Sequence, residues 1–571
     1  MPRIRSGLLR SALVAALLAG SALSPVQAED AGAYLAARTA AGAKDYAAAT
    51  GFYRRLLDAG EAPAEAFEAG LISELGAGYM DAARALAERM GLPENHSQIA
   101  ALTLLAADVR DGNFNAGLEK LAAGAQPGPL VGGLYKAWAQ AGVGQMSEAM
   151  KSFDEMVKEP GLEGFASYHK ALALAVVGDY EGADAIFGSE AGQVLHGSRR
   201  GALAHVEILS QLERNTDAIA LLDEAFGSGA DPEIQGLRDR LEAGEMLPFT
   251  LINSPADGVA EVYFTVASAL AGDVPDGYTL IHSRLATWLR PDHTDAILLS
   301  ASLLEEQEQY DLAIATYAQI APDSPAFQAA EVGRADALLR AEKVDAAIEV
   351  LENLTRANAD VPGVWIALGD TLRREERYAE AAQAYDKAVN LMGDPQPADW
   401  FVWYARAIAQ ERSDNWVEAE AGFRKALELS PDQPSVLNYL GYSYVEKHQN
   451  LDEALDMISR AVAMRPDAGY IVDSLGWALF KLGRYDEAVV QMERAVELEA
   501  IDPVVNDHLG DVYWAVGRVR EAEFQWKRAL SFEASEDLDK DRVRLKLEIG
   551  LDQVLEREGA EPLKASEDAG N

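Results

Sequence analysis

A period of about 34 residues constrains this chain more than any other feature. Leu440-Gly441, Leu475-Gly476 and Leu509-Gly510 recur in register, 35 and then 34 residues apart. Three residues after each Gly stands an aromatic or Leu (Tyr444, Leu479, Tyr513). An Ala follows (Ala454, Ala488, Ala522), then a large apolar residue (Ile458, Met492, Trp526), then another Ala (Ala461, Ala495, Ala529). Helical hairpins produce such a period, because each one leaves an apolar face that only a stacked neighbour can cover. A Gly or Ala in each helix lets the paired helices approach, and the large residue fills the space beside the contact. Pro431 and Pro466 end second helices, since Pro cannot continue them.

The register runs backwards through Ala419, Ala381, Ala347 and Ala313, with first-helix counterparts at Gly369, Ala335 and Ala301. Further upstream the beat is fainter: Tyr46…Ala49…Tyr53, Met80…Ala83…Ala87, Phe114…Gly117…Leu121, Met146…Ala149…Phe153, Tyr180…Ala183…Phe187 and Asn215…Ala218…Leu222. About six units therefore precede a break and about eight follow it. The expected organisation is a leader over 1–28, a divergent array over 29–245, an irregular joint over 246–258, a second array over 259–534, a capping helix within 535–560 and a disordered tail over 561–571. The joint rests on Pro248, Pro255 and Asp257-Gly258, which interrupt the helical period. It is read either as a hinge or as an irregular pair that keeps the stack continuous. The cap rests on Val543, Leu547, Leu551, Val554 and Leu555, which share one helical face between Arg and Lys.

These residues resemble the tetratricopeptide repeat family, clearly over 296–534 and more faintly over 31–227. The resemblance implies an all-α fold: an α-solenoid of helix-turn-helix repeats wound as a right-handed superhelix. It also implies that the first helix of each repeat lines a concave groove whose outward positions contact peptides or partner helices. In the closing repeats those positions are Trp400, Trp403, Asn438, Tyr442, Tyr470, Asp473, Trp477, Phe480, Asp507, Asp511 and Trp514. Aromatics alternating with Asp and Asn suit a peptide with apolar and basic or backbone N–H groups. The alternative is that some of the aromatics, Trp403 among them, pack between helices. Chaperone-binding members of the family hold a C-terminal carboxylate with Lys and Asn. Here the equivalent places hold Asn438, Asp473 and Asp507, so that clamp is not expected.

The formal charge is −42 and is spread along the chain. Affinity for phosphate needs clustered Lys and Arg, so nucleic acid is excluded as a partner. Arg3, Arg5 and Arg10 before an apolar run over 12–23, followed by Val26-Gln27-Ala28, form a secretory leader cleaved after Ala28. Leu18-Ala19-Gly20-Ser21 resembles a lipoprotein box with Ser in place of the acceptor cysteine. The chain contains no cysteine, which excludes thioether lipidation, disulfides and thiolate metal sites. No later apolar stretch is long enough for a transmembrane segment. The expected protein is therefore exported, periplasmic and without a lipid anchor. A nucleophile, acid/base pair or metal cluster free of repeat duties is not evident, so no cofactor, no metal and no enzymatic activity are expected. The layout resembles bacterial envelope adaptors that present substrates to, or activate, carboxyl-terminal processing proteases and cell-wall hydrolases. The alternative is an assembly factor for outer-membrane proteins or surface polymers, and a third reading is an enzyme with an unrecognised site.

Overall fold

The computed structural model describes residues 25–60, 62–91, 97–189, 192–227, 232–272, 276–532, 538–560 and 562–563. The leader up to residue 24 and most of the expected tail lie outside the described residues. Among these residues every regular element is a helix, and most helices pair with the next across a short turn, giving an all-α repeat of helical hairpins. The chain divides into two compact units at Val350/Leu351.

Each pair closes at the residues that carry the period. A Cβ placed on Gly441 would stand 2.7 Å from Ile458, while Gly476 lies against Met492 and Gly510 against Trp526. Ala454, Ala488 and Ala522 are fully buried beside these contacts. The turn inside each pair holds a residue with positive φ: Gly78, Gly112, Gly483 and Gly517, but also Glu213, Glu308 and Glu342. At the turn beside Gly78, the Tyr79 N–H donates to the Glu74 carbonyl at 2.8 Å and the Gly78 N–H to Leu75 at 3.0 Å. Two carbonyls left over at the helix end are thereby satisfied, and the second helix is sent back along the first.

The first unit opens with six pairs, from Pro25–Gly42 with Tyr46–Ala59 to Arg199–Gln211 with Asn215–Phe226. Helix Pro232–Glu242 packs on Asn215–Phe226. The residues that follow are hydrogen-bonded to helix Arg199–Gln211. The Leu247 N–H donates to Ser210 Oγ at 2.8 Å, and the Thr250 and Leu251 N–H groups donate to the Glu207 carboxylate at 2.8 and 3.2 Å. The next pair turns back on what precedes it. Pro255–Leu270 lies against Pro129–Gly142 and Glu163–Val176, and Asp276–Leu289 against Ala64–Ala77 and Gln98–Arg110. The division between units therefore falls well after 246–258, because helices 255–289 bury their apolar faces against the N-terminal pairs.

The second unit contains the pairs Pro362–Arg374 with Tyr378–Leu391, Trp400–Glu411 with Trp416–Leu429, and Pro434–Glu446 with Leu451–Met464. Gly469–Lys481 with Tyr485–Leu498 and Pro503–Ala515 with Val519–Ser531 complete the stack. First helices of successive pairs touch one another, Pro434–Glu446 with Gly469–Lys481 and the latter with Pro503–Ala515. They form one continuous inner row. The terminal cap is two helices, Lys540–Ile549 and Leu551–Glu558, where the sequence reads as one. Gly550, at φ 86°, makes the break, and a side chain there would collide with Trp514.

Candidate functional site

The inner row of the second unit carries all eleven residues predicted from the sequence, and the structure separates them into two groups. Trp400, Trp403 and Tyr442 are half-buried, and Tyr470 is 46 % exposed. Trp400 packs edge-on to Phe401 at 5.7 Å and lies 6.2 Å from Tyr404. Tyr404 in turn touches Tyr439 edge-to-face at 6.1 Å. Its hydroxyl titrates high, at about 12, chiefly because it is buried and in part because Tyr470 lies near. Phe401 is 45 % exposed. The residues of this group that keep accessible surface are therefore Phe401 and Tyr470 and, in part, Trp400 and Tyr442, with Tyr404 packed behind them against Phe423 at 6.0 Å. Trp403 carries the Arg406 guanidinium 5.8 Å from its ring centre. Asn438 is buried, with an amide oxygen that accepts no hydrogen bond among the described residues. Sequence reasoning missed Phe401 and Tyr404, although the run Trp400-Phe401-Val402-Trp403-Tyr404 was a visible signal.

The second group is closed, which corrects the expectation that these side chains face an open groove. Asp473, Trp477, Phe480, Asp507 and Asp511 are all buried. Trp477 stacks on His508 at 4.0 Å and on Phe480 at 4.9 Å, and its indole N–H donates to Glu446 at 2.5 Å. Asp473 accepts from the His508 ring at 3.0 Å. Burial opposes charge on that imidazole, but Asp473, Asp507 and Asp511 outweigh it and the pKa rises above 6.5. Lys546 from the cap is fully buried, and its ammonium donates to both oxygens of Asp507 (2.9 and 2.8 Å) and of Asp511 (2.7 and 2.8 Å). Asp511 also accepts from the Trp526 indole at 2.9 Å. Burial pushes the Asp507 carboxyl up, with Lys546 pulling against it. Trp514 remains half-buried and donates to Asp552 of the cap at 2.9 Å. The acidic positions read as recognising a basic partner already hold this chain's own lysine.

The first unit is closed on itself in the same way. Glu261, on the pair that turns back, is buried and accepts from Tyr168 at 2.8 Å. It is also gripped by Arg200 at 2.8 and 2.7 Å. Burial would raise the Glu261 pKa, yet Arg200 and His293 drive it well below the usual carboxylate range. Gly258 lets helix Pro255–Leu270 lie directly on the Trp138 ring, and the Tyr263 hydroxyl donates to the Leu102 carbonyl at 2.8 Å. Among the described residues, no group of three or more His, Asp and Glu is placed to hold a metal ion. No helix among them is long and apolar enough to cross a membrane.

Residues 332–399 and 440–504 match the family model described as tetratricopeptide repeat. A TPR repeat-containing protein of Pseudomonas aeruginosa is 28 % identical over 186 residues, covering 32 % of this chain and 30 % of that protein. The chain thus spans under a third of the length of that relative. Among solved structures, the APC/C hetero-tetramer Cut9–Hcn1 is similar over 94 % of this chain and 98 % of that one, at 14 % identity and a TM-score of 0.37. A tetratricopeptide repeat protein from Parabacteroides merdae is similar over 45 % of this chain and 98 % of its own, also at 14 % identity and a TM-score of 0.37.

Proposed function

We propose that this protein is a non-enzymatic scaffold, exported to the periplasm, that docks a partner protein on the inner row of its second unit. One observation carries the reading: Phe401 and Tyr470 stay open to solvent on a row whose other end the chain closes with its own cap. Exposed aromatics on a helical row bury apolar area when a partner covers them, and rigid aromatic side chains dominate protein recognition. A peptide or helix with apolar side chains fits such a surface. The partner proposed is an envelope protease or cell-wall hydrolase to which the scaffold presents substrates. Affinity capture from envelope extract tests this. The native chain should retain such a protein, and a Phe401→Ala/Tyr470→Ala variant should lose most of it while keeping its helical circular dichroism. Recovery of only outer-membrane assembly or secretion components would favour the assembly-factor reading. Hydrolysis or group transfer by the purified chain alone would overturn the non-enzymatic one.

A further inference from the structure

At the far end of the inner row in the second unit, the cap closes over a pair of carboxylates. Asp507 and Asp511 stand one helical turn apart on Pro503–Ala515, so two carboxylates face the same point. Two carboxylates brought together out of water stay ionised only with a cation between them; otherwise one takes up a proton. Lys546 supplies one, with four oxygens within 2.9 Å and no exposed surface. A compact ammonium suits so enclosed a point better than a planar guanidinium fork. Arg542 adds a weaker contact, 3.7 Å from Asp511. Around the charge the cap buries its own Val543, Leu551 and Val554. Asp552 anchors the far side through Trp514. What holds the two cap helices is therefore a pattern: a lysine with apolar residues three before it and five and eight after it.

We propose that the cap, Lys540–Ile549 with Leu551–Glu558, is a built-in ligand occupying a seat that a lysine-bearing helix of a partner protein takes by displacing it. This rests on the reading of the inner row as a protein-binding surface, but it does not need the aromatic strip. The tether gives the cap a high effective concentration at the seat, so a partner must carry the same pattern and must compete. Release would uncover Trp514 and the Asp507–Asp511 pair at the end of the row. The seat is then a recognition site that the chain keeps covered.

The test uses the full chain with a fluorescent peptide of residues 538–560. A Lys546→Ala chain should bind the native peptide at least ten-fold more tightly than the unaltered chain does, because its own cap no longer competes. A peptide carrying the same substitution should bind at least ten-fold more weakly. Should Lys546→Ala fail to fold, an Asp552→Asn/Arg542→Ala chain loosens the cap and leaves Asp507 and Asp511 intact, and the same ranking is expected. Equal binding of both peptides, or no binding to either loosened chain while it remains helical, overturns the proposal. A Phe401→Ala/Tyr470→Ala background should leave peptide exchange unchanged, so failure of the strip and failure of the seat are separately visible.

Discussion

At the residue scale, the spacing that defines the repeat is a set of close contacts. Gly510 has no side chain because the Trp526 indole lies where a Cβ would be, and that indole is fully buried and bonded to Asp511. Gly510→Ala should cost about 1–3 kcal/mol by overpacking, less the ~1 kcal/mol that Ala gains in a helix. A fall in the thermal midpoint of the second unit is expected, and a rise would contradict the packing account. The turns offer the converse case. Glu342 sits in the left-handed region at φ 59°, which strains any residue with a Cβ. Glu342→Gly should therefore be neutral to stabilising by up to about 1 kcal/mol, since relief of strain is offset by unfolded-chain entropy. Chemical denaturation would show it. His169 illustrates a polar residue that no period announces. Its Nδ1 accepts from the Trp138 indole at 3.1 Å, which leaves the proton on a buried Nε2 that has no acceptor. Protonating Nδ1 would set two N–H groups against each other, and burial holds the pKa down at about 4.

At the element scale, two helix pairs close the units: one that the period assigns to the second array over 259–534, and the cap that follows the last repeat. Pro255–Leu270 and Asp276–Leu289 lie across the inner helices of the N-terminal pairs. That placement explains why the N-terminal repeats read faintly. Trp138, Tyr168 and Arg200 are shaped to receive this helix pair, not to repeat one another. The cap does the same to the last repeats. Its apolar face was legible in Val543, Leu551 and Val554, but Lys546 between them looked like any solvated lysine. Removing one partner of a buried ion pair costs about 3–5 kcal/mol, so Lys546→Ala should lower the stability of the second unit by an amount of that order. Hydrogen exchange should show faster opening in Pro503–Ala515 before any change in Pro362–Arg374. Uniform protection across the unit would argue against a local seat.

At the scale of the whole molecule, the two units should respond to pH in opposite senses. In the first unit, His169 and His282 are buried neutral with pKa values near 4, and burial also lowers His196 and His205. Unfolding lets these groups take up protons near their ordinary 6.5, so the stability they contribute is lost as pH falls from about 6.5 towards 4. His508 in the second unit is raised above 6.5. Its contribution is full below the unfolded value and is lost as pH rises through the folded one. Limited proteolysis at pH 7.5 and at pH 5 should shift early cleavage towards the first unit on acidification. Earlier cleavage of the second unit at pH 5 would contradict the assignment.

The sequence by itself determined the helical pair, its length, the small residues at its crossing and the face each first helix turns inward. Those features are local, because a 34-residue hairpin meets the same neighbour contacts wherever it occurs in a stack. It also marked Trp477, Trp514, Asp507 and Asp511 as first-helix residues, and they lie on Gly469–Lys481 and Pro503–Ala515. Only the tertiary structure decided what lies against them. Whether a carboxylate on that row meets solvent, a partner or Lys546 depends on a contact 35 to 39 residues away that no period encodes. A buried lysine and a solvated one carry the same letter, and burial belongs to the fold.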